Sequence, residues 1–538
     1  MSYFKRTFVP ALLAAMLVFS GCPKSYAYSD TDSHWAREVI DKAASYGLME
    51  GYPDGRFGVG VDMKRGEFVT VLCRMMGWEG AAIPAGLSDV ASHWAGPYVA
   101  AAANQGVVDF GVPFRPDDPI SRFEMAQMLV RALGYDHLAR SLSKTDLSLP
   151  FADVPESNGY IAIAYDFGII TGVKGPNDTL NFLPSDSAPR EQAAAMLVRC
   201  YERYFSETQF RHGFYAFASY DQLEVAASLD ALSVGWAQLQ FVEDKPFLND
   251  TADHGNDWVK PQGAEEVTTF LAERSIPCNL NVFASAATFA SIEETAQRQT
   301  AISLLVEAAR PYAGLTMDVE GLKTEHREAY SAFMTDLRAA LPQDKTLYVC
   351  VQPDTWFGGF DYRALGEICD KVILMAHDYQ WSSIPDYYLG TDNTYCPVTP
   401  IDQVYTALRH IADPDTGVQD KSKLALQISF NTTGFHVDGE GLLLDQTFYH
   451  PATATIAQRL SQPDTVYTWN EQSRNPVIEY TTENGEHYRL WYEDAQSVAE
   501  KLQLARMFGV QGLSIWRLGM IPDYPELPYY DVLHVLTR

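Results

Sequence analysis

Basic residues are scarce: 40 Lys plus Arg stand against 69 Asp plus Glu, a net charge of −29. Such a field repels phosphate backbones and anionic lipid surfaces, so nucleic acid is excluded as an expected partner. Cysteine is scarce as well, and none of the seven lies in a CxxC or other metal-ligand spacing, so no metal site is predicted. Cys73, Cys200, Cys278, Cys350, Cys369 and Cys396 mostly fall inside apolar runs, where buried free thiols are expected rather than a disulfide framework. Apolar runs long enough to cross a bilayer are missing. The apolar stretch at 7–19 is short and follows Lys5-Arg6, the layout of a secretory signal occupying residues 1–27. Two processing sites compete there. Ser25-Tyr26-Ala27 fits ordinary signal peptidase, whereas Phe19-Ser20-Gly21-Cys22 looks like a lipoprotein box. Phe19 stands where such boxes carry Leu, so ordinary cleavage is the expectation and a lipid on Cys22 the alternative.

Length and aromatic content are what the chain has in excess. At 538 residues it exceeds the size at which one hydrophobic core keeps growing, so two or more domains are expected. Aromatic residues make up 12%, with 10 Trp and 30 Tyr, a composition that suits surfaces stacking on sugar rings.

The first two hundred residues repeat themselves. Asp30-x-x-x-His34-Trp35 returns as Asp89-x-x-x-His93-Trp94, each followed by a helix-like stretch that ends in Gly47 or Gly106. A turn follows, Gly51-Tyr52-Pro53-Asp54-Gly55-Arg56-Phe57 in one copy and Phe114-Arg115-Pro116-Asp117-Asp118 in the other. Then come the helix starts Lys64-Arg65-Gly66-Glu67 and Ser121-Arg122-Phe123-Glu124. A third copy opens at Ala152-Asp153-Val154, with Ser157-Asn158 in place of His-Trp and Pro189-Arg190-Glu191-Gln192 at its helix start. This pattern resembles the S-layer homology family, with copies at residues 28–82, 83–140 and 148–205. The resemblance implies an all-α three-repeat unit that docks on secondary polysaccharides of the Gram-positive wall and places the protein at the cell wall or S-layer. It also implies that Arg65 and Arg122 contact an acidic or ketal-modified sugar beside Trp35 and Trp94. Guanidinium suits that task because its fixed fork pairs with a carboxylate through two parallel hydrogen bonds. The third copy departs from the pattern, and no sugar is assigned to its groove. Packing and helix capping are the plain structural alternative for all of these residues.

Beyond residue 205 short β-rich runs alternate with helical stretches, the signature of parallel α/β architecture. Eight strand candidates can be counted, at 213–217, 233–241, 278–283, 314–320, 346–351, 371–376, 424–428 and 512–516. With amphipathic segments such as 325–340 and 494–508 between them, they predict a (β/α)8 TIM barrel over 211–538. The stretch 434–493 interrupts the alternation with two β-rich runs, at 465–470 and 477–492, and reads as a small inserted α+β subdomain beside the barrel mouth.

Acidic residues that close a barrel strand are the first place to look for chemistry. Asp318-Val319-Glu320 closes the fourth strand, and alternation aims both carboxyls the same way, about 7 Å apart along the chain. Two such carboxyls raise each other's proton affinity, which is how a Glu becomes a general acid near neutral pH. The segment Ala313-Gly314-Leu315-Thr316-Met317-Asp318-Val319-Glu320 resembles the DGxDxDxE signature of glycoside hydrolase family 18, with its last two acids kept and the first two replaced by Ala313 and Thr316. Met375-Ala376-His377-Asp378-Tyr379 is similar to that family's Met-x-Tyr-Asp, with His for Tyr, and Trp516 matches its closing Trp. Together with Trp491-Tyr492-Glu493-Asp494, these residues look most like the branch of spore-cortex and peptidoglycan N-acetylglucosaminidases.

The resemblance implies a substrate-assisted retaining hydrolysis of β-1,4 bonds beside N-acetylglucosamine in peptidoglycan, spore cortex or chitin, with no metal or organic cofactor. In it Glu320 is the acid and base, and Asp318 orients the acetamido group. His377, Asp378 and Tyr379 hold substrate, and Trp516 floors the cleavage subsite. Ala313, Thr316 and His377 keep open a second reading, a glycan-binding barrel with weak or lost turnover, and a purely structural surface-layer component is a third.

Overall fold

The structure, a computed structural model, describes residues 28–537 apart from 155, 218, 293, 294 and 528. The expected signal segment, with both processing sites and Cys22, lies outside the described residues. Two compact units divide at Phe205/Ser206. No helix among the described residues is long and apolar enough to cross a membrane. The six described cysteines are all free, five of them buried.

The N-terminal unit is helical, and three equivalent segments close into a ring. The aspartate opening each segment folds its own turn: Asp30 accepts the amides of Phe57, Gly58 and Val59, Asp89 that of Arg115, and Asp153 those of Phe182 and Leu183. The histidine that follows caps the next helix. His34 Nδ1 accepts from the Ala36 amide at 3.2 Å and His93 Nδ1 from the Ala95 amide at 3.1 Å. In the third segment Asn158 does that work on helix Gly159–Asp166, accepting from Tyr160 and Ile161.

Three arginines lock the ring. Arg65 donates Nε to the Phe114 carbonyl at 2.7 Å, Arg122 to Phe182 at 2.7 Å, and Arg190 back to Phe57 at 3.0 Å. Each guanidinium lies over the ring of that same phenylalanine, 4.8, 5.3 and 5.2 Å from its centroid. The helix of the next segment supplies the second partner: Glu124 for Arg65, Gln192 for Arg122 and Glu67 for Arg190. At the centre the amides and carbonyls of Met63, Ala188 and Ile120 bond head to tail in a closed triangle.

The C-terminal unit is a closed barrel of eight parallel strands, as the alternation of runs predicts. We label them β1 (Phe210–Tyr215), β2 (Ala231–Val242), β3 (Cys278–Ser285), β4 (Gly314–Glu320), β5 (Thr346–Val351), β6 (Lys371–Leu374), β7 (Leu424–Ser429) and β8 (Gly512–Trp516). Each pairs in parallel with the next and β8 with β1. Gly314 is required where β4 begins, because a Cβ there would lie 2.0 Å from the Thr346 carbonyl oxygen. The barrel floor carries a polar rung. Ser514 and Ser233 hydrogen-bond the two ring nitrogens of His212 at 2.9 and 2.8 Å, and Ser233 reaches Thr316 at 2.7 Å. Burial drives His212 down to about 3, so the rung is uncharged at neutral pH.

Between β7 and β8 sits a five-stranded antiparallel sheet, Thr433–Val437, Leu443–Tyr449, Val466–Asn470, Asn475–Thr481 and His487–Trp491, with helix Thr453–Leu460. The sequence signals two β-rich runs there. The second run is itself a hairpin, Asn475–Thr481 with His487–Trp491 about Gly485. Leu443–Tyr449 escapes notice because it is an edge strand, mostly half-buried or exposed, and lacks a clean alternation. Behind this sheet a buried ion pair joins Lys501 to Glu493 at 2.8 Å, and Asn475, Ser497 and Thr399 complete the carboxylate's hydrogen bonds.

Removing one partner of such a pair strands the other charge in the core and costs about 3–5 kcal/mol. Lys501→Met is therefore expected to shift the barrel's guanidinium unfolding midpoint sharply down. Adding Glu493→Gln is expected to restore most of the loss, and tryptophan fluorescence of the full chain reads both.

Candidate active site

The C-terminal ends of β4, β6, β7 and β8 assemble the site. Asp318 and Glu320 share one face of β4, Asp318 buried at 3% exposure and Glu320 half-buried at the rim. Immediately after them Gly321 turns out of the strand at φ +82°, and its amide donates to Gln352 Oε1 at 2.7 Å, which anchors the end of β4 to the segment after β5. Burial pushes the Asp318 carboxyl well above the usual range, and the charge of Glu320 pushes it further. Burial likewise raises Glu320, with His377 opposing and Asp378 adding to the rise. The two carboxyls therefore compete for one proton. The Asn281 side chain is buried beside Asp318, and hydrogen bonding from it opposes part of the rise.

His377 and Asp378 follow β6. His377 Nδ1 donates to Asp378 Oδ2 at 2.7 Å, and Nε2 donates to Gln427 Oε1 at 2.5 Å. With acceptors on both nitrogens the ring is held as the imidazolium. Burial alone would lower the proton affinity of His377. The Asp378 charge, the two hydrogen bonds and the Glu320 charge override it, so the net movement is upward. Asp378 is drawn the other way, down to about 2: burial works against its charge, but His377 and the Asn431 amide, at 2.7 Å, outweigh it. Its φ of +61° places it in the left-handed region, which Asp tolerates better than most residues and which these bonds hold in place.

Trp516 ends β8, packed edge-on to Phe214 at 5.3 Å and tilted against Trp258 at 5.7 Å. Trp258 in turn stacks on Phe283 at 5.1 Å. The structure thus brings Asp318, Glu320, His377 and Asp378 into one electrostatic cluster and puts Trp516 on the strand end that faces it. Tyr379 goes elsewhere: its ring lies 4.6 Å from that of Trp356 and lines a separate cavity of about 160 Å³. Sequence reading missed Gln427, Asn281, Asn431 and Trp258. Gln427 and Asn281 had a signal, a polar residue on the inward register of an otherwise apolar parallel strand; Asn431 and Trp258 sit on loops with no period to read.

In the N-terminal unit the four residues assigned to the wall polymer separate. Trp35 and Trp94 are 63% and 59% exposed, whereas Arg65 and Arg122 are each only 8% exposed and engaged in the ring described above. Trp94 lines a cavity of about 190 Å³ together with Tyr52, Glu67, Arg74 and Arg190.

Residues 196–520 match the glycosyl hydrolases family 18, and residues 27–69 and 86–126 match the S-layer homology domain. Among characterised proteins the chain is similar to the cortical fragment-lytic enzyme of Bacillus anthracis, 25% identical over 231 residues that cover 41% of this chain and 50% of that protein. Its counterpart in Bacillus subtilis (strain 168) is 24% identical over 253 residues, 44% and 52% of the two chains. The cellulosome-anchoring protein of Acetivibrio thermocellus is 31% identical over 153 residues, 27% and 33%. The chain spans about half the length of the cortical fragment-lytic enzymes it matches.

A carboxyl that binds its proton more tightly folded than unfolded stabilises the fold at low pH and loses that contribution as pH rises past its unfolded value, 3.8 for Asp318. Asp318→Asn removes the group, so its melting temperature is expected to exceed that of the parent chain by a margin that widens as pH rises above about 4. Calorimetric scans across that range check it; a constant margin would contradict the assignment.

Proposed function

The chain belongs to the glycosyl hydrolases family 18, and we propose that its barrel hydrolyses β-1,4 bonds beside N-acetylglucosamine in peptidoglycan, spore cortex or chitin while the N-terminal unit holds it at the cell wall. The observation that carries this reading is the Asp318 and Glu320 pair at the end of β4, both carboxyls driven up by burial and both acted on by the charge of His377.

In the reacting form the shared proton sits on Glu320, the carboxyl nearer solvent. Glu320 gives it to the glycosidic oxygen as the bond to the leaving sugar breaks, and the acetamido oxygen of the bound sugar attacks the anomeric carbon from the other side. Asp318, ionised once Glu320 holds the proton, accepts from the acetamido N–H and offsets the positive charge that develops on the ring so formed. Water then enters, Glu320 takes its proton, and the ring opens. His377 stands where it can donate to the acetamido group or a ring hydroxyl in exchange for one of its present bonds, with Asp378 and Asn431 fixing its orientation. The neutral rung under Thr316 supplies no charge to this cycle, so the proton budget of β4 is closed between its two outer acids.

For the N-terminal unit, the exposure of Trp94 and its cavity with Tyr52 and Arg190 support a docking place for an acidic wall sugar, and Arg65 and Arg122 serve as its framework. A chain tethered in this way meets wall glycan at high effective concentration, so the barrel needs little affinity of its own.

Two measurements on the full chain test these readings. Release of reducing ends from purified peptidoglycan or from chitin oligomers is expected to fall by about 10³-fold or more in Glu320→Gln with oligomer binding kept, given that general acid–base groups contribute 10²–10⁴. Binding without turnover in the parent chain would instead favour a glycan-binding barrel. Sedimentation with purified cell walls is expected to weaken about tenfold in Trp94→Ala, the loss of one buried aromatic anchor, with the melting temperature unchanged.

A further inference from the structure

His377 is gripped from two elements: Asp378 on its own segment takes Nδ1, and Gln427 on β7 takes Nε2. Alternation along β7 sets Gln427 on the same face as Ala425. Ala425 packs with Phe214, Cys350, Ile373 and Met375, so that face is the barrel interior. Gln427 stands level with Ser514 of β8, whose hydroxyl bonds the His212 ring in the barrel floor. It is 1% exposed, and its amide oxygen meets His377 Nε2 at 2.5 Å. Burying an amide in an apolar barrel is unfavourable unless it finds a partner, and the partner here is the histidine.

The chemistry of the two contacts decides the charge. A neutral imidazole has one N–H and one bare nitrogen, whereas the imidazolium has two N–H groups. Carboxylate and amide oxygens only accept, so both contacts are made at once only by the cation. With the acceptor at Nε2 removed, a neutral ring still bonds Asp378 through Nδ1, and burial pulls the proton affinity of His377 down with less to oppose it. The charges that face His377 are Asp378 from its own segment and Asp318 and Glu320 from β4. Polar groups on the other strands are neutral: the His212 ring of β1, the buried Cys350 thiol of β5 and the Ser514 hydroxyl of β8. Beyond β7 the Asn431 amide is bonded to Asp378, and beyond β8 the Arg517 guanidinium is engaged by the Phe217 ring and the Ala216 carbonyl. The cation lowers the proton affinity of both Asp318 and Glu320, so whatever fixes the charge of His377 reaches the carboxyl pair.

We propose that Gln427 is a positioning residue of this site: it fixes the ring and the charge of His377, and through that charge the pH range over which Asp318 and Glu320 hold one proton between them. In this role it touches no substrate. Its effect on turnover rests on the glycan-hydrolase reading above, whereas its hold on His377 does not.

Two substitutions in the full chain separate these parts. Gln427→Met keeps the bulk and removes the acceptor, while Gln427→Glu keeps an acceptor and adds charge. Long-range nitrogen–proton NMR of chain carrying isotope-labelled histidine reads both nitrogens of His377, identified by the signal lost in His377→Phe. A hydrogen bond to a charged group is worth roughly one to two pH units of proton affinity, so the His377 midpoint is expected to fall by about one unit or more in Gln427→Met. In Gln427→Glu it is expected to stay at or above that of the parent. With His377 neutral, Glu320 keeps its proton to higher pH, so the alkaline limb of reducing-end release is expected to move up in Gln427→Met. A midpoint that stays or rises in Gln427→Met means that the amide donates to a neutral ring or only fills space, and overturns the proposal. A midpoint below the parent's in Gln427→Glu overturns it as well, whether or not Gln427→Met folds. A midpoint that falls without moving the alkaline limb overturns the link to the carboxyl pair. If the parent chain releases no reducing ends at any pH, the hydrolase reading fails, and the His377 midpoints alone decide whether Gln427 holds the charge.

Discussion

Asp318 and Glu320 stand two positions apart on β4, burial raises both carboxyls, and neither can ionise without regard to the other. That constraint organises the barrel around it. The strand must run straight and close to β5, which Gly314 allows, and must end abruptly, which Gly321 and its bond to Gln352 ensure. Opposite the acids stands a histidine kept cationic by acceptors on both nitrogens, and that cation draws the pair's combined charge back toward balance. Below them the barrel floor is polar but neutral.

Buried charge is handled differently where no substrate is involved. In the N-terminal ring each arginine is saturated by a carbonyl, an aromatic face and a side chain of the next segment, so it ties segments together. The Glu493 and Lys501 pair is saturated in the same way by Asn475, Ser497 and Thr399.

Much of this was legible in the sequence. Parallel barrel strands are buried on both faces and read as short apolar runs, so all eight could be counted, and acids closing the fourth pointed to Asp318 and Glu320, whereas His377, Asp378 and Trp516 came from the resemblance to glycoside hydrolase family 18. The arginines were a harder case. A repeat pattern shows that Arg65 and Arg122 recur at helix starts, but whether a long side chain turns outward to solvent or inward to a neighbouring carbonyl depends on segments fifty or more residues away. The position of the Tyr379 ring was illegible for a related reason: adjacency to Asp378 along the chain says nothing about which side of the backbone the ring takes once Asp378 adopts a positive φ. The half-exposed strands of the insertion carried too little alternation to be separated.

The carboxyl spacing poses the sharpest question about mechanism. Residues i and i+2 of a strand lie about 7 Å apart, a separation that also fits an inverting pair in which the second carboxylate activates water. Asp318 is ill suited to that part, since it is buried, proton-loving and below the rim where water would wait. Proton NMR of the first sugar product, followed before mutarotation, decides between the two. The account predicts that the β configuration is retained, as attack by the substrate's own acetamido group requires; an α product formed first would contradict it.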